Sequence, residues 1–399
     1  MELIWNINSK YINGAISTLH DSNSEKLRKS KILMVGPYPP PYGGIAIVVR
    51  DLLDSPLKEK FDLELLRTQP SGKNEISRFI MDIINLNKKL IDFKPDIVHI
   101  QTSYDFGWPK HITYALIAKV YRKKVILHQH GIPINSNYLN GGKLAYIYPP
   151  RFVISIVDHV IAISEEIGKI VSLLGRPQKV SVVRNGVNKH ILEIGLNKNL
   201  DIINDRIGIL YMGATTKRKG IIEFLDMIKY FQNEKLNINL SYSIIGTGEL
   251  DDYIDNFLLE NKLTSIVDRR KKILEEEKID VLKNSDVFVL QSDHEGLPIS
   301  ILESMASGLV IITTPVGGIP DAVKNNENGL LIRPHDVKEL INSIRWIVNN
   351  PIDLKRIKTS NVDKIKNLYS WDKNILEIIN IYNSLSDTRP GINAWASEG

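Results

Sequence analysis

"EGLPISILESMASGLVIITTPVGG", residues 295–318, decides how the chain is read. It opens on a carboxylate, Glu295, and brings a second, Glu303, eight positions later. Between them a Gly-Leu-Pro turn runs into a stretch of helical composition. An apolar β-rich run, "LVIITT" (309–314), then leads to a second turn, which ends in two glycines. Strands that feed Gly-bearing turns and then helices build parallel α/β sheets, and such sheets bind ligands beyond the carboxyl ends of their strands. Two carboxylates and the N–H groups of Gly296, Leu297, Ile299 and Ser300 would meet there; Pro298 has no donor to give. One carboxylate suits the hydroxyls of a sugar and the other those of a ribose. On spacing alone, two solvated carboxylates on a helix are the better reading.

The same unit recurs on both sides. "KILMVG" (31–36), "DIVHI" (96–100), "KVILHQH" (124–130) and "HVIAIS" (159–164) read as buried parallel strands. "RIGILYMG" (206–213), "INLSYSIIG" (238–246), "SDVFVL" (285–290), "LVIITT" and "GLLIR" (329–333) form a second set. Helical periodicity marks 76–93, 110–123, 220–233 and 337–350. Alternating strands and helices predict parallel sheets with right-handed crossovers. Two sets in 399 residues predict two Rossmann-like α/β domains, which the resemblance given below sets facing across a cleft. The expected division is an extension at 1–30, a first domain at 31–195 and a second at 196–368. A C-terminal helix at 369–386 then crosses back to the first domain, and a tail follows at 387–399. The polar stretch "LEIGLNKNLDIINDR" (192–206) marks the boundary.

There are no cysteines, so disulfides, thiolate metal sites and a cysteine nucleophile are excluded. No apolar run is long enough to span a bilayer, and the start has no signal-peptide pattern. The expectation is a cytoplasmic protein, soluble or peripheral at a membrane. Net charge is +5, unevenly placed. Residues 31–195 hold 22 Lys+Arg against 14 Asp+Glu. A basic first half can face an anionic membrane surface, a lipid phosphate or an acidic glycan, or the asymmetry is ordinary surface variation. Nucleic acid is not expected, because no stripe of cations interleaved with aromatics is present.

The unusual residues fall in the loops after the strands. "PYPPPYGGIA" puts Gly43-Gly44 at a helix start, where bare backbone can meet a ligand or merely make a tight turn. "HQHGI" places His128 and His130 on one strand face. With no carboxylate close by in sequence to complete a metal set, His130 is either a polar active-site group or structural. "TTKRKG" collects Lys217, Arg218 and Lys219 before a helix, which suits phosphate. Gly246-Thr247-Gly248 could admit base, ribose or phosphate, but such turns are common in α/β folds. No G-x-G-x-x-G opens either domain, which argues against a nicotinamide dehydrogenase.

Taken in order, these motifs resemble the retaining glycosyltransferases of family 4, which have the two-domain GT-B fold. The likeness runs over about residues 31–385. It rests on "PPPYGGIA", "HQHG", "IAISEEI" (161–167), "VVRNGV" (182–187), "KRKG", "IIGTGEL" (244–250), "EEEKIDVLKNSDVFVL" (275–290) and the E-x7-E of Glu295 and Glu303. The resemblance implies a nucleotide-diphosphate sugar donor held mainly by the second domain. A glycan or lipid-linked acceptor would be held mainly by the first. It implies retention at the anomeric carbon, no cofactor and no obligatory metal. Lys219 would contact the donor phosphates. Glu295 would hold the transferred sugar near its anomeric centre, and Glu303 the ribose. Gly296, Leu297, Pro298 and Ile299 would lie under sugar and pyrophosphate. His130 would stand near the reacting centre, with Gly44 and Gly246 lining the donor site. Two departures stand out. Gly213-Ala214 replaces the family's Gly-Arg, leaving Arg218 as a substitute phosphate ligand, and a glycine of the base pocket is replaced within "VDRRKKI" (267–273). A non-catalytic nucleotide-sugar-binding protein of the same fold is the alternative.

Overall fold

The computed structural model describes residues 28–40, 43–68, 74–102, 108–131, 151–175, 179–198, 206–234 and 238–386. Most of the 1–30 extension, residues 199–205 of the polar boundary stretch and the 387–399 tail lie outside the described residues.

The chain forms two six-stranded sheets, and every pairing between their strands is parallel. The first contains β1 (Lys31–Gly36), β2 (Asp62–Arg67), β3 (Ile97–Thr102), β4 (Lys124–Gln129), β5 (His159–Ala162) and β6 (Val180–Val182) in the order β2-β1-β3-β4-β5-β6. The second contains β7 (Arg206–Met212), β8 (Asn239–Ile245), β9 (Val267–Arg270), β10 (Val287–Leu290), β11 (Val310–Thr313) and β12 (Gly329–Leu331) in the order β12-β11-β10-β7-β8-β9. Strand order reverses between β1 and β3 in one sheet and between β7 and β10 in the other. Loops diverge at such a reversal and leave a crevice at the carboxyl ends of the strands.

The central strands are β-branched and aliphatic because helices cover both their faces. All four residues of β10 and of β11 are buried. The face of the first sheet carrying Leu33, Val98, Ile100 and Leu127 packs with helices Glu75–Asp92 and Trp108–Val120. The opposite face, with Ile32, Met34, Ile97 and Ile126, is closed by helix Gly44–Asp54 and by the chain's last helix, Trp371–Leu385. That last helix brings Ile375, Ile378 and Tyr382 back from the second half of the chain.

The chain passes twice between the sheets, and the two passages run side by side. Val187 bridges Ser370, and its N–H donates to the Tyr369 carbonyl at 2.8 Å. Gly186 lies against the Trp371 ring, where a Cβ would come within 2.7 Å of it. Helix Lys189–Asn197, which contains the start of the polar boundary stretch, packs on helices Ile299–Ala306, Glu275–Lys283 and Pro351–Leu368 around the second sheet.

Candidate active site

The reversal between β7 and β10 is where the second domain gathers its charge. After β7 the chain turns through Gly213-Ala214 into a single 3₁₀ turn, Lys217–Lys219. Gly220 follows at φ 73°, a left-handed conformation in which any side chain would also strike Gln291. That turn aims Lys219 at the loop after β10. Its Nζ ion-pairs with the Glu295 carboxylate, whose Oε1 also accepts from the buried Ser292 hydroxyl at 2.6 Å. The Lys219 and Glu295 side chains are 17% and 11% exposed, enough to be reached and too little to be solvated.

Behind Glu295 the backbone is packed against the other domain. A Cβ on Gly296 would overlap the His130 carbonyl and lie 3.1 Å from Ile163. The Leu297 carbonyl accepts from the Asn185 side chain at 3.2 Å. The Gly-Gly turn after β11 supports this loop from beneath. Gly317, at φ 54°, abuts the Glu295 carbonyl, and the Gly318 N–H donates to the Gly296 carbonyl at 2.6 Å. The Gly318 N–H therefore serves the protein itself. Pro298 caps helix Ile299–Ala306, so that helix points its N-terminus at the same place.

Glu303 lies in the second turn of that helix, 8% exposed. Burial pushes its carboxyl above the usual range, and the Lys278 ammonium at 2.7 Å pulls it back. Lys278 also pairs with Glu275 at 2.8 Å. The two carboxylates of the motif are therefore not a solvated pair; each is enclosed with its own cation. Lys278 was not singled out in the sequence, because "EEEK" has the look of a solvated helix surface. The first domain reaches this corner through Asp51 on helix Gly44–Asp54. Burial raises its carboxyl, while Arg50 and, less strongly, Lys278 pull it back.

Gly43 and Gly44 begin that helix in open space. A Cβ on either would meet nothing within 4 Å, and Gly43 has φ −150°, which any residue adopts. The turn does not need its glycines; they leave room. Arg218 is exposed and makes no ion pair among the described residues. Gly246, at φ 137°, ends β8 with its Cα against the Gly213 carbonyl. The loop it starts is fastened by Asp251, which accepts from Thr215 at 2.6 Å, from the Gly248 N–H at 3.2 Å and from Arg269 at 2.7 Å. Arg269, within the departing "VDRRKKI", also donates to the Gly246 carbonyl at 2.6 Å.

His130 ends β4 with 8% exposure, its ring stacked 4.4 Å from His128. His128 in turn stacks on His99 of β3 at 5.2 Å. Burial holds His99 and His130 down to about 3 and His128 well below its ordinary value, so all three are neutral. Among the described residues no group of three or more His, Asp or Glu is arranged to hold a metal ion. The structure thus brings Lys219, Glu295 and the 296–299 loop together, with His130 facing them from the other domain. Glu303 forms a second pole one helix turn further back.

Two family models match in succession, "Glycosyltransferase Family 4" over residues 42–190 and "Glycosyl transferases group 1" over 196–362. The chain belongs to the family 4 glycosyltransferases. Its fold is GT-B. An uncharacterized glycosyltransferase of Methanocaldococcus jannaschii is 25% identical over 90% of this chain and 99% of its own. The Escherichia coli UDP-Gal:alpha-D-GlcNAc-diphosphoundecaprenol alpha-1,3-galactosyltransferase is 28% identical over 75% of this chain and 78% of its own. Among solved structures, sucrose-phosphate synthase from Thermosynechococcus elongatus superposes with TM-score 0.73 at 16% identity, covering 89% of this chain and 99% of its own. Anabaena HepE with UDP-glucose superposes with TM-score 0.66 at 14% identity, covering 89% and 99%. This glycosyltransferase therefore carries the Glu295 end of its E-x7-E motif where its two Rossmann-like domains meet.

Proposed function

We propose that the protein is a retaining, metal-independent transferase. It moves a hexose-type sugar from a nucleotide-diphosphate sugar to a glycan or lipid-linked acceptor in surface polysaccharide or glycolipid synthesis. One observation carries this reading: the Lys219–Glu295 ion pair stands at the strand reversal, on a loop whose Gly296 rests against the His130 carbonyl. A cation for the leaving diphosphate and a carboxylate for the sugar are thus held at the seam where a first-domain acceptor arrives.

The chemistry follows from charge. Departure of the diphosphate places negative charge on oxygen, which Lys219, Arg218 and the N-terminus of helix Ile299–Ala306 stabilise. Positive charge grows on the sugar ring, as in glycoside hydrolysis, next to the Glu295 carboxylate. The acceptor hydroxyl attacks from the face the diphosphate leaves, and the departing phosphate oxygen takes its proton. No side-chain nucleophile and no cofactor is required. Closure of the domains keeps water from the donor. HepE binds UDP-glucose, and the Escherichia coli relative acts on a diphosphoundecaprenol acceptor; both fit a donor and a lipid carrier of these classes.

The lipid acceptor gives the protein a reason to sit at the inner face of the cell membrane. Helix Glu75–Asp92 supports this with Ile76, Ile80, Met81, Ile84 and Ile91 all more than half exposed, and the first half of the chain is basic. No helix among the described residues is long and apolar enough to cross a membrane. Flotation with liposomes rich in anionic lipid is expected to carry the protein up; no binding would remove the membrane part of the reading.

The transferase part is tested by incubating the protein with UDP-, GDP- and ADP-sugars without metal and following nucleotide release, with Glu295→Ala alongside. Release from one donor, lost in the variant, is expected. Tight donor binding with no turnover across a broad acceptor set would favour the non-catalytic alternative, for which the Ala214 departure speaks.

A further inference from the structure

The first domain ends at the cleft in His130, and the side chains behind it decide what that histidine can do. His99 and Gln101 on β3, with His128 and His130 on β4, share one sheet face because alternate strand residues do. Gln101 stands directly across from His128 in the register. All four are buried, Gln101 at 2% exposure. Gln101 Oε1 lies 2.7 Å from His130 Nε2, and Gln101 Nε2 lies 3.2 Å from His99 Nε2. His99 Nε2 is also 3.2 Å from His128 Nδ1, and His99 Nδ1 is 2.6 Å from the Tyr382 hydroxyl on the last helix.

Neutral imidazole carries one donor and one acceptor, and an amide carries both, so the ladder has two self-consistent polarities. In the first, His130 Nε2–H donates to Gln101 Oε1, and the Gln101 amide N–H donates to His99 Nε2. His99 Nδ1–H then donates to Tyr382, and His128 Nδ1–H shares the one lone pair of His99 Nε2 with that amide. The second polarity reverses every one of these bonds by rotating the Gln101 amide. Each polarity orphans one buried donor. Among the described residues His128 Nε2 has no hydrogen-bond partner, and the Tyr382 hydroxyl has only His99. The first polarity leaves the Tyr382 O–H without an acceptor, and the second makes His128 Nε2 an N–H with nowhere to donate. The Gln101 amide decides between them: its oxygen faces His130 and its nitrogen faces His99, which is the first polarity.

We infer that Gln101 is the positioning residue for His130. It holds the ring as the Nε2–H tautomer, so the nitrogen left for a ligand, Nδ1, is an acceptor that takes a hydroxyl of the sugar or acceptor and turns away a phosphate. The ligand's name rests on the transferase reading; the tautomer does not. Neither His99 nor Gln101 touches the cleft, and both act through His130.

The tautomer is read without substrate. Long-range ¹H–¹⁵N spectra of the full chain at neutral pH, with His130 identified by the signal lost in His130→Gln, are expected to show a protonated Nε2 and a bare Nδ1. A protonated Nδ1, or an imidazolium, overturns the proposal. In Gln101→Met the signature is expected to give way to mixed tautomers; an unchanged signature also overturns it. In Gln101→Glu the Nε2 proton is expected to persist, because a carboxylate still accepts from Nε2–H. With a donor that the wild type turns over, Gln101→Met is expected to lose roughly tenfold in kcat/KM, the worth of one hydrogen bond. Gln101→Glu should recover most of that loss, and equal losses in the two variants count against positioning. A wild type that turns over no donor breaks the transferase reading while the tautomer result stands.

Discussion

The two halves of the cleft handle burial in opposite ways. On the second domain, each enclosed carboxylate has a cation in contact, Lys219 on Glu295 and Lys278 on Glu303. On the first, three buried imidazoles have no carboxylate partner among the described residues and lie neutral in a stack. Burial without a counter-charge discharges a group; burial with one stores charge at a chosen place. The difference teaches how the proposed reaction would divide: the second domain would meet charge that develops on the substrate, and the first would meet hydroxyls.

That contrast can be broken experimentally, starting where the largest effect is expected. Glu295→Ala removes the stored charge beside the sugar and should lower nucleotide release by roughly 10²- to 10³-fold in steady-state assays, with the circular dichroism spectrum unchanged. Gly296→Ala attacks the seam between the halves. Its methyl would overlap the His130 carbonyl, so the halves must part, and a displacement near 1 Å is expected to cost about 10²-fold in turnover. An unaltered rate would mean that the seam does not position the reaction.

The paired side can be separated from the neutral side by stability. Glu303→Ala leaves the Lys278 ammonium buried with only the half-exposed Glu275, and urea unfolding is expected to show a loss of about 3 kcal/mol. The double variant Lys278→Met with Glu303→Leu removes both charges and should recover most of that stability. Tyr382→Phe takes the end partner from the neutral ladder and orphans His99 Nδ1, for an expected loss of about 1–2 kcal/mol.

Acid sharpens the same comparison. His99 and His130 have folded values near 3 against 6.5 unfolded. Below pH 6.5 the unfolded chain takes up protons that the folded chain refuses. Stability is therefore full above 6.5 and is lost as pH falls toward 3, with a slope of about 1.4 kcal/mol per pH unit for each histidine. His335 is the counter-example. Its ring is clasped by Glu223 at 2.6 Å and Asp293 at 2.5 Å, which raise its pKa, and its smaller contribution is present below 6.5 and lost as pH rises through that raised value. Urea midpoints across pH, for wild type and His335→Gln, should separate the two slopes.

What was legible in the sequence follows from the same physics. Central strands such as "SDVFVL" and "LVIITT" could be read because burial on both faces enforces an unbroken apolar run. β2, β6 and β9 escaped because they are edge strands. "DLELLR" and "VDRR" carry charge that an exposed edge tolerates, and "VSV" is too short to announce itself. At the site, the loops bearing Lys219, Glu295 and His130 were legible as breaks after strands. Their partners were not. Lys278 hides among three glutamates, and Gln101 and His99 sit inside an ordinary buried strand, where only the period of two hints at a shared face with His128 and His130.

The last helix has a consequence for how the protein is made. Ile375, Ile378 and Tyr382 cover the face of the first sheet that carries Ile32, Met34, Ile97 and Ile126, and Tyr382 ends the ladder that reaches His130. On the ribosome, β1 to β6 emerge long before helix Trp371–Leu385 exists. The nascent first domain must wait with an oily face uncovered while the whole second domain is synthesised, a state open to aggregation and to chaperones. The domain that is translated first is thus finished only after the second, and His130 acquires its final surroundings only once helix Trp371–Leu385 has been made.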